Sequence, residues 1–389
     1  MQGKNDKVVI NVAFIGAGLV NFGGAEGPWN HSKRLEQYAL AHKDITFHVV
    51  AISDPMIEFA QKILERQRKN SEFPDLWQNT QIFASYMEML EKVPKIDAAI
   101  IGVPPNAHGS TKPGFDIELQ FAKRKIHMFI EKPISSYSIS EVSSVASQLD
   151  ELVKENKLAI SVGYMFRYSK AIKKIKELIA QYGPPRIFNA RYNCAYEVIS
   201  KNFWWDNEKS GGPIVEQATH FCDLARFIVG DVDLDSVHAL GILQTDALGS
   251  LNALAENVVA FEKTIPPERR IVRSTVATWK FKNGSIGTLT HGALLHGGLY
   301  ETELEIWGDG YRIALLEPYF KCRLSVRLPK SEEVKILEYY DEDVYYEELS
   351  TWFDAILTGD SSKIESSYAD AFQTYRLTWK IREQSEKVN

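Results

Sequence analysis

The chain has 389 residues, of which 44% are hydrophobic and 25% are charged, a composition typical of soluble globular proteins. At roughly 150 residues per domain, this length predicts two or three domains and excludes a peptide or a single small module. The formal net charge of −6 argues against broad attraction to nucleic acid or to anionic membranes.

The cysteines and the N-terminus bear on the cellular location. Cys194, Cys222 and Cys322 lie far apart without a CxxC pair, so we expect neither a metal site nor a disulfide framework. Residues 1–12 carry charged groups directly into a short apolar run, without the pattern of a signal peptide. No apolar stretch reaches the roughly 20 residues that span a bilayer. We therefore expect a cytoplasmic protein, with internal organelle signals left open.

The first 165 residues alternate short apolar runs with amphipathic helical periods. The runs rich in β-branched residues predict strands at 8–15, 47–52, 97–103, 127–131 and 159–164. Such runs, with helices between them, are typical of a parallel sheet that is covered on both faces. This part of the chain is therefore predicted to be an α/β fold with a doubly wound parallel sheet.

The pattern changes after this region. A helix is predicted over 169–182 and is ended by Gly183, and strands that alternate polar and apolar residues then dominate. Asn283-Gly284 predicts a tight turn between two of these strands. Residues 347–384 predict a terminal helix pair that packs back on the body.

These patterns divide the chain into two predicted domains, 1–165 and 166–389. The second is predicted to be an α+β domain with a large open sheet that is mostly antiparallel and has one solvated face. We find no internal repeat and no flexible linker in the sequence, so the two domains are expected to be in close contact.

A glycine-rich turn follows the first predicted strand. Gly16 and Gly18 supply two glycines of the GxGxxG fingerprint, in which the first permits a tight turn and the second lets a pyrophosphate approach the backbone. Asn21 stands where the third glycine is usual, and residues 22–30 after it hold three more glycines. Taken alone, this motif indicates either a dinucleotide site or a merely structural turn.

Asp54 follows the end of the second predicted strand. An acidic side chain there can accept both hydroxyls of an adenosine ribose and would repel a 2′-phosphate, which favours NAD over NADP. The next basic residue is Lys62, so none follows at once to receive a phosphate. The alternative is that Asp54 caps the next helix, which is expected to begin at Pro55, and both roles can hold together.

Two further motifs, 102–108 and 131–133, fall at the carboxyl ends of predicted parallel strands. This edge is where doubly wound sheets bind ligands. A lysine such as Lys132, fixed beside a nicotinamide, could stabilise the alkoxide that precedes hydride transfer. The alternative is that Lys132 is a solvated turn residue.

The helical segment 214–231 carries three polar groups on an otherwise apolar background. Glu216, His220 and Asp223 recur at spacings of four and three, which places them on one face of a continuous helix. A carboxylate one turn from an imidazole can orient it and raise its basicity, as a general base requires. The alternative is an ion pair on the helix surface. Because the surrounding residues are apolar, we expect the polar face to border a cavity.

Together these motifs resemble one family. The sequences GAG, SDP, VPPNAH, EKP, GYMFRY and GGPIVEQATHFCDLAR occur in that order at suitable spacings. With FKNGSIGTLTHG and YYEELSTWFDAILTGD, they resemble the Gfo/Idh/MocA oxidoreductases, which include glucose-fructose oxidoreductase and inositol dehydrogenase. The resemblance spans nearly the whole chain. It implies a Rossmann domain that holds NAD or NADP, followed by an α+β domain that covers the substrate and commonly mediates oligomers.

The resemblance also implies roles for single residues. Lys132 is the implied catalytic lysine, His220 is the implied acid or base, and Glu216 stands where relatives usually have Asp. With the motifs above, the expected cofactor-binding residues are Gly16, Gly18, Asn21, Asp54, Pro104, Asn106, His108, Glu131 and Lys132. The expected substrate-binding residues are Tyr164, Arg167, His220 and Trp205, although for Trp205 burial under the sheet is the alternative.

Three features depart from the family pattern. The extended glycine loop changes the surroundings of a pyrophosphate, Glu216 is one methylene longer than Asp, and Met165 occupies a position that is often polar in relatives. Met165 therefore favours a less polar substrate edge.

We expect the protein to transfer a hydride between NAD(P) and a sugar, polyol or cyclic alcohol. His220 accepts the hydroxyl proton in this reaction, and Lys132 stabilises the alkoxide. A homodimer or homotetramer formed through the C-terminal sheet is expected, without a metal, nucleic acid or membrane partner. The alternatives are a cofactor-binding regulatory protein without turnover, and a reductase of a non-sugar carbonyl or dihydrodiol-type substrate.

Overall fold

The computed structural model describes residues 8–24, 27–197, 199, 201–250 and 256–387. The described chain divides into two compact units, each of which contains one β-sheet. The first unit draws its residues from Met1–Ile134, Ser140–Gly163 and Tyr345–Ala369, and the second from Ser135–Ile139, Tyr164–Val344 and Asp370–Asn389.

The first unit contains a six-stranded parallel sheet. Its strands are β1 (Val8–Ile15), β2 (Ile45–Ser53), β3 (Gln81–Phe83), β4 (Ala98–Ile101), β5 (His127–Ile130) and β6 (Ile160–Val162). They lie in the order β3-β2-β1-β4-β5-β6, and each neighbouring pair is parallel. This order is that of doubly wound dinucleotide-binding domains and confirms the predicted fold class. Only β3 escaped prediction, because a strand of three residues is too short to show a period.

Helices connect these strands and enclose an apolar core. They are α1 (Leu19–Phe22), α2 (His31–Ala41), α3 (Ile57–Asn70), α4 (Tyr86–Lys92), α5 (Ile117–Lys123) and α6 (Ile139–Asn156). Val12 and Phe14 of β1, Ile100 of β4 and Phe129 of β5 are completely buried. Burial of this kind is what strands covered on both faces require.

The second unit contains an eight-stranded sheet. Its strands are β7 (Ile187–Ala195), β8 (Val232–Ile242), β9 (Ser274–Phe281), β10 (Ile286–Leu295), β11 (Glu301–Trp307), β12 (Arg312–Leu316), β13 (Arg323–Arg327) and β14 (Val334–Glu338). The order is β14-β13-β12-β11-β7-β10-β9-β8, in which only β7 and β10 are parallel neighbours. The prediction of a mostly antiparallel sheet is thus confirmed. The predicted turn at Asn283-Gly284 joins β9 to β10, and Gly284 has a φ of +91°.

The remaining helices are α7 (Lys170–Tyr182), α8 (Asn207–Ser210), α9 (Pro213–Glu216), α10 (Thr219–Val229), α11 (Glu256–Glu262), α12 (Val344–Thr358) and α13 (Tyr368–Ser385). Helix α7 agrees with the helix predicted over 169–182. The hydroxyl of Ser169 caps its start by accepting from the amide of Ala171 at 3.1 Å. Gly183 ends it with a φ of +98°. In the described part of the chain, we find no helix with the length and hydropathy of a membrane span.

Helix α12 belongs to the first unit although it follows the second sheet in sequence. Trp352 is completely buried, lies 5.8 Å from the ring of Phe129, and donates its indole N–H to the carbonyl of Ala159 at 3.1 Å. The sequence analysis places this segment, 345–369, in the domain 166–389. Its apolar face instead completes the core beneath β5 and β6, and α13 from Asp370 onward belongs to the second unit.

Candidate active site

The end of β1 turns at a position that requires glycine. Gly16 has a φ of +91°, and a Cβ built on it would lie 2.8 Å from the carbonyl oxygen of Gly102. The amide of Gly16 donates to the carbonyl of Ser53 at 2.8 Å. A side chain is excluded both by the backbone angle and by the end of β4, so Gly16 makes the tight turn that the motif predicts.

The backbone at Gly18, two residues after this turn, faces open space. Gly18 precedes α1, a helix of a single turn, and apart from its chain neighbours no described atom lies within 4 Å of a Cβ built on it. Asn21 is completely buried, and its side-chain amide donates to the carbonyls of Ile15 and Gly16 at 3.0 and 2.7 Å. Asn21 therefore stabilises the turn, and its contact with a cofactor stays a prediction.

Asp54 connects the glycine turn to the next helix. One carboxylate oxygen accepts from the amide of Ala17 at 2.8 Å, and the other accepts from the amide of Met56 at 2.8 Å. The second bond closes a turn over Pro55 just before α3, which begins at Ile57 with Met56 as its N-cap, so Asp54 is not the helix cap that the alternative predicts. Because each carboxylate oxygen has two lone-pair directions, both remain able to accept from a ribose hydroxyl.

Glu131 and Lys132 follow the end of β5. One oxygen of Glu131 lies 2.6 Å from Nε2 of His31, and the other accepts from the amide of Lys132 at 3.2 Å. His31 is the first residue of α2 and is completely buried. His31 was not predicted from the sequence. The available signal was its place just after Asn30, which caps α2.

The motif after β4 divides into an exposed and a buried part. Pro104 is exposed, and Asn106 is half-buried within a short 3-10 helix, Pro105–Ala107. His108 is buried, and its Nδ1 lies 2.5 Å from a carboxylate oxygen of Glu118. Pro104 and Asn106 are thus accessible to a ligand at the sheet edge. The imidazole of His108 instead contacts Glu118 of α5.

His220 lies among aromatic rings in the second unit. The rings of Tyr164, Phe166 and Tyr319 approach its imidazole edge-on at 6.1, 5.6 and 6.1 Å. The hydroxyl of Tyr164 lies 2.9 Å from that of Thr219, which precedes His220. Burial raises the pKa of the Tyr164 phenol well above its usual value, so this residue is a neutral hydrogen-bonding group. The structure therefore brings the side chains of Tyr164 and His220 together, and their contact with a substrate stays a prediction.

The predicted continuous helix through Glu216 and His220 is wrong. Helix α9 ends at Glu216 and α10 begins at Thr219, so a regular helical spacing does not relate the two groups. The Glu216 carboxylate accepts from the indole N–H of Trp204 at 2.9 Å. Neighbouring Trp205 is only 1% exposed and packs 4.9 Å from Trp204, as in the alternative of burial.

Asp223 pairs with a guanidinium group. Arg167 donates to its two carboxylate oxygens at 2.8 and 2.6 Å, and Arg167 also lies 2.5 Å from a carboxylate oxygen of Asp370. Burial opposes the charge of Arg167, but the two carboxylates raise its pKa above the usual value. Arg167, expected at the substrate, is thus buried in an ion-pair network, with 3% of its side chain exposed.

A buried polar group next to Glu216 was missed by the sequence analysis. The side-chain oxygen of Gln217 lies 2.9 Å from Nε2 of His291. Its side-chain nitrogen donates to the sulfur of Cys194 at 3.2 Å. Burial lowers the pKa of His291 to about 3, so its imidazole is neutral. Each partner lies more than twenty residues away in sequence, and no local pattern links them.

The described residues support a dinucleotide site more directly than any other kind of site. In the first unit, Gly16, Asp54, Pro104 and Lys132 each follow the carboxyl end of a parallel strand. The open space at Gly18 leaves room for a phosphate beside the backbone. Among the described residues, no group of three or more His, Cys, Asp or Glu side chains is arranged to hold a metal ion.

Comparisons with known proteins agree with this geometry. Residues 10–164 match the oxidoreductase family with an NAD-binding Rossmann fold, and residues 167–311 match an oxidoreductase C-terminal domain family. Two uncharacterized proteins of Schizosaccharomyces pombe are 42% and 37% identical to the chain over 380 residues. The matches cover 95% of this chain and 90% and 95% of those proteins. Myo-inositol 2-dehydrogenase of Thermotoga maritima is 24% identical over 232 residues, which are 58% of each chain.

Solved structures share the fold over almost the whole length. Levoglucosan dehydrogenase in complex with NADH and L-sorbose superposes with a TM-score of 0.71 at 17% identity, covering 97% of this chain and 96% of that one. A 3-ketoreductase from Actinomadura kijaniata in complex with NADP gives a TM-score of 0.70 at 15% identity, covering 96% and 97%. Both domain families match, and relatives align over 95% of the chain. The chain therefore belongs to the Gfo/Idh/MocA family and is an NAD(P)-dependent oxidoreductase.

Proposed function

We propose that this protein transfers a hydride between nicotinamide C4 and the carbinol carbon of a sugar, polyol or cyclic alcohol, or the matching ketone. The observation that carries the proposal is Lys132, which follows β5 in the dinucleotide-binding unit and has its amide held by Glu131 at 3.2 Å. The substrate class is supported by the relatives named myo-inositol 2-dehydrogenase and levoglucosan dehydrogenase. In this proposal the first unit, with its strand-end motifs, holds the cofactor, and the second receives the substrate.

Lys132 and His220 have complementary roles in this proposal. The nicotinamide supplies a hydride acceptor at C4 when it is bound. In the oxidative direction His220 accepts the hydroxyl proton, and the ammonium of Lys132 stabilises the alkoxide that results. In this proposal Glu216, which is buried and accepts from the indole N–H of Trp204, orients His220. In this proposal Tyr164, which packs against His220, contacts the substrate, and Arg167 holds α10 in place through Asp223.

The test compares two lysine variants in the first unit. We expect Lys132→Ala to lower kcat by about 10³-fold, because it removes charge stabilisation from the alkoxide. Lys92→Ala, which removes a lysine from an exposed ion pair with Glu88, serves as the control and keeps kcat. NADH absorbance is followed with levoglucosan, myo-inositol and other sugars or polyols, and circular dichroism monitors folding. A folded Lys132→Ala variant with full turnover would contradict the assignment.

Two alternatives are separated by the same substrates. A cofactor-binding regulatory protein would bind NADH without changing its absorbance in the presence of any sugar, polyol or ketone, and would be recovered with a protein partner. A reductase of non-sugar carbonyls or dihydrodiols would act only when those compounds are added. The side chain of Met165, in a short 3-10 helix, is only 3% exposed. It therefore supports this second alternative less than the sequence suggests.

We further propose NAD as the preferred cofactor. The Asp54 carboxylate, after the end of β2, accepts hydrogen bonds from two backbone amides. Its remaining lone pairs can accept hydrogen bonds from the ribose hydroxyls. Fluorescence titration of NADH and NADPH compares the two affinities directly. Equal or tighter binding of NADPH would overturn this preference.

The exposed face of the eight-stranded sheet supports a homodimer or homotetramer. Ile187, Ile286 and Trp307 are neighbours in the strand register and are 40%, 48% and 44% exposed. An exposed apolar cluster of this kind is covered when two copies pack face to face. Size-exclusion chromatography with light scattering should show an oligomer that Trp307→Glu dissociates. A monomeric wild-type protein at micromolar concentration would contradict it.

A further inference from the structure

We propose that His31 is a positioning residue that fixes the Lys132 peptide through the carboxylate of Glu131. The proposal rests on the proposed function, because it takes Lys132 as the group that stabilises the alkoxide. Nε2 of His31 lies 2.6 Å from one oxygen of Glu131, and the other oxygen accepts from the amide of Lys132 at 3.2 Å. The imidazole, the carboxylate and the lysine backbone thus form one connected group.

The carboxylate of Glu131 has little freedom to move within this group. Its side chain is 14% exposed. A Cβ built on Gly163 would lie 3.0 Å from a carboxylate oxygen of Glu131, so the carboxylate packs closely against the backbone that follows β6. The amide of Gly163 donates to the carbonyl of Ile130, the last residue of β5, at 2.8 Å. Glu131 is therefore held between two strand ends, and His31 determines which way its carboxylate turns.

The position of His31 is itself fixed by the start of α2. The side chain of Asn30 accepts from the amide of Lys33 at 3.0 Å and from the hydroxyl of Ser32 at 2.8 Å, which locks the first turn of the helix. The imidazole packs edge-on against Phe129 of β5 at 4.9 Å. Its Nδ1 is buried and has no hydrogen-bond partner among the described residues. The bond to Glu131 is thus the polar contact that orients the ring.

The cap of α2 therefore has a consequence for catalysis. Asn30 directly precedes His31, so a change in the Asn30 cap would displace His31 and, through it, the Glu131 carboxylate. A displacement of about 1 Å at a reacting group can cost about 10²-fold in rate, even when the altered residue does not touch substrate.

The experiment replaces His31 in two ways. His31→Leu removes the donor to Glu131, and we expect kcat to fall between about 10-fold and 10²-fold while the KM and the affinity for NADH change little. His31→Gln keeps an N–H group that can reach the carboxylate, and we expect it to recover most of the lost kcat. Turnover is measured with the substrate from the levoglucosan and myo-inositol series that reacts fastest.

Tyr38→Phe is the matched control. Tyr38 lies on the same helix, α2, is 1% exposed, and donates its hydroxyl to the carboxylate of Asp354 at 2.6 Å. The variant therefore removes a bond from a buried ring on the same helix to a carboxylate, and we expect it to keep kcat. Equal losses of kcat in His31→Leu and Tyr38→Phe would overturn the proposal, because both would then report only the stability of α2.

A second readout does not depend on a substrate. Amine-directed labelling, followed by mass spectrometry, gives the rate at which the Lys132 side chain reacts in the wild type and in each variant. We expect His31→Leu to change this rate at least about threefold and Tyr38→Phe to leave it unchanged. The same rate in all three proteins would overturn the proposal. If instead Lys132→Ala keeps full turnover while the labelling rate responds to His31, the proposed function fails and the positioning contact stands.

Discussion

The two units hold their functional carboxylates by different kinds of partner. In the first unit, Asp54 accepts from two backbone amides, and Glu131 accepts from one backbone amide and also contacts the imidazole of His31. In the second unit, Asp223 and Glu216 accept from side chains that are distant in sequence. A backbone amide is supplied by any residue in the right conformation, whereas a side-chain partner must be of one type. The first kind of site therefore tolerates substitution of its partners better than the second.

The largest effect is expected when the side-chain network is broken. Asp223 is 1% exposed, and its replacement by Ala leaves the Arg167 guanidinium buried with half of its charge compensation removed. We expect Asp223→Ala to lower the free energy of unfolding by about 3–5 kcal/mol. Urea unfolding followed by circular dichroism measures the change.

An exposed aspartate of the same unit provides the control. Asp235 lies on β8 and is exposed, so Asp235→Ala should change the free energy of unfolding by less than about 0.5 kcal/mol. A comparably small loss for Asp223→Ala would mean that Asp370 alone compensates Arg167, and the contrast between the units would then disappear.

The same contrast explains what could be predicted from the sequence. The parallel strands were predictable because β-branched runs mark buried strands, and Gly16 and Asp54 were recognisable because strand ends carry local motifs. The break between α9 and α10 was not, because Gln217 is held there by His291, seventy-four residues away. His31 was missed for the same reason, since its partner Glu131 is one hundred residues distant. Long-range side-chain pairs leave no periodic signal in a single sequence.

The pH dependence of stability compares one histidine from each unit, the half-buried His127 of the first and the buried His291 of the second. Burial lowers the pKa of His127 in the first unit below its usual value, and lowers that of His291 in the second to about 3. A histidine that is neutral in the fold takes up protons preferentially in the unfolded chain. The stability contributed by the neutral form is therefore complete above about pH 6.5 and is lost as the pH falls toward 3.

We expect His291 to account for about 2 kcal/mol of the stability lost between pH 7.5 and pH 5. His291→Gln removes this titration and can still bond to Gln217, so the difference in unfolding free energy between the two pH values should shrink by that amount. His127→Gln is the control, and should shrink the difference less because Asp97 partly offsets the effect of burial. If His291→Gln shows the same difference in unfolding free energy between the two pH values as the wild type, His291 does not cause this loss of stability.

The smallest effect is expected at the backbone-held carboxylate of the first unit. Asp54→Ala removes the bonds to the amides of Ala17 and Met56, but Asp54 is only half-buried, so water can replace the lost acceptor. We expect the free energy of unfolding to fall by about 1 kcal/mol, the usual net contribution of a hydrogen bond. The affinity for NADH should fall more than the stability does, because the same carboxylate is proposed to bind the ribose. A loss of stability as large as that of Asp223→Ala would show that the glycine turn depends on Asp54, and the two units would then be held in the same way.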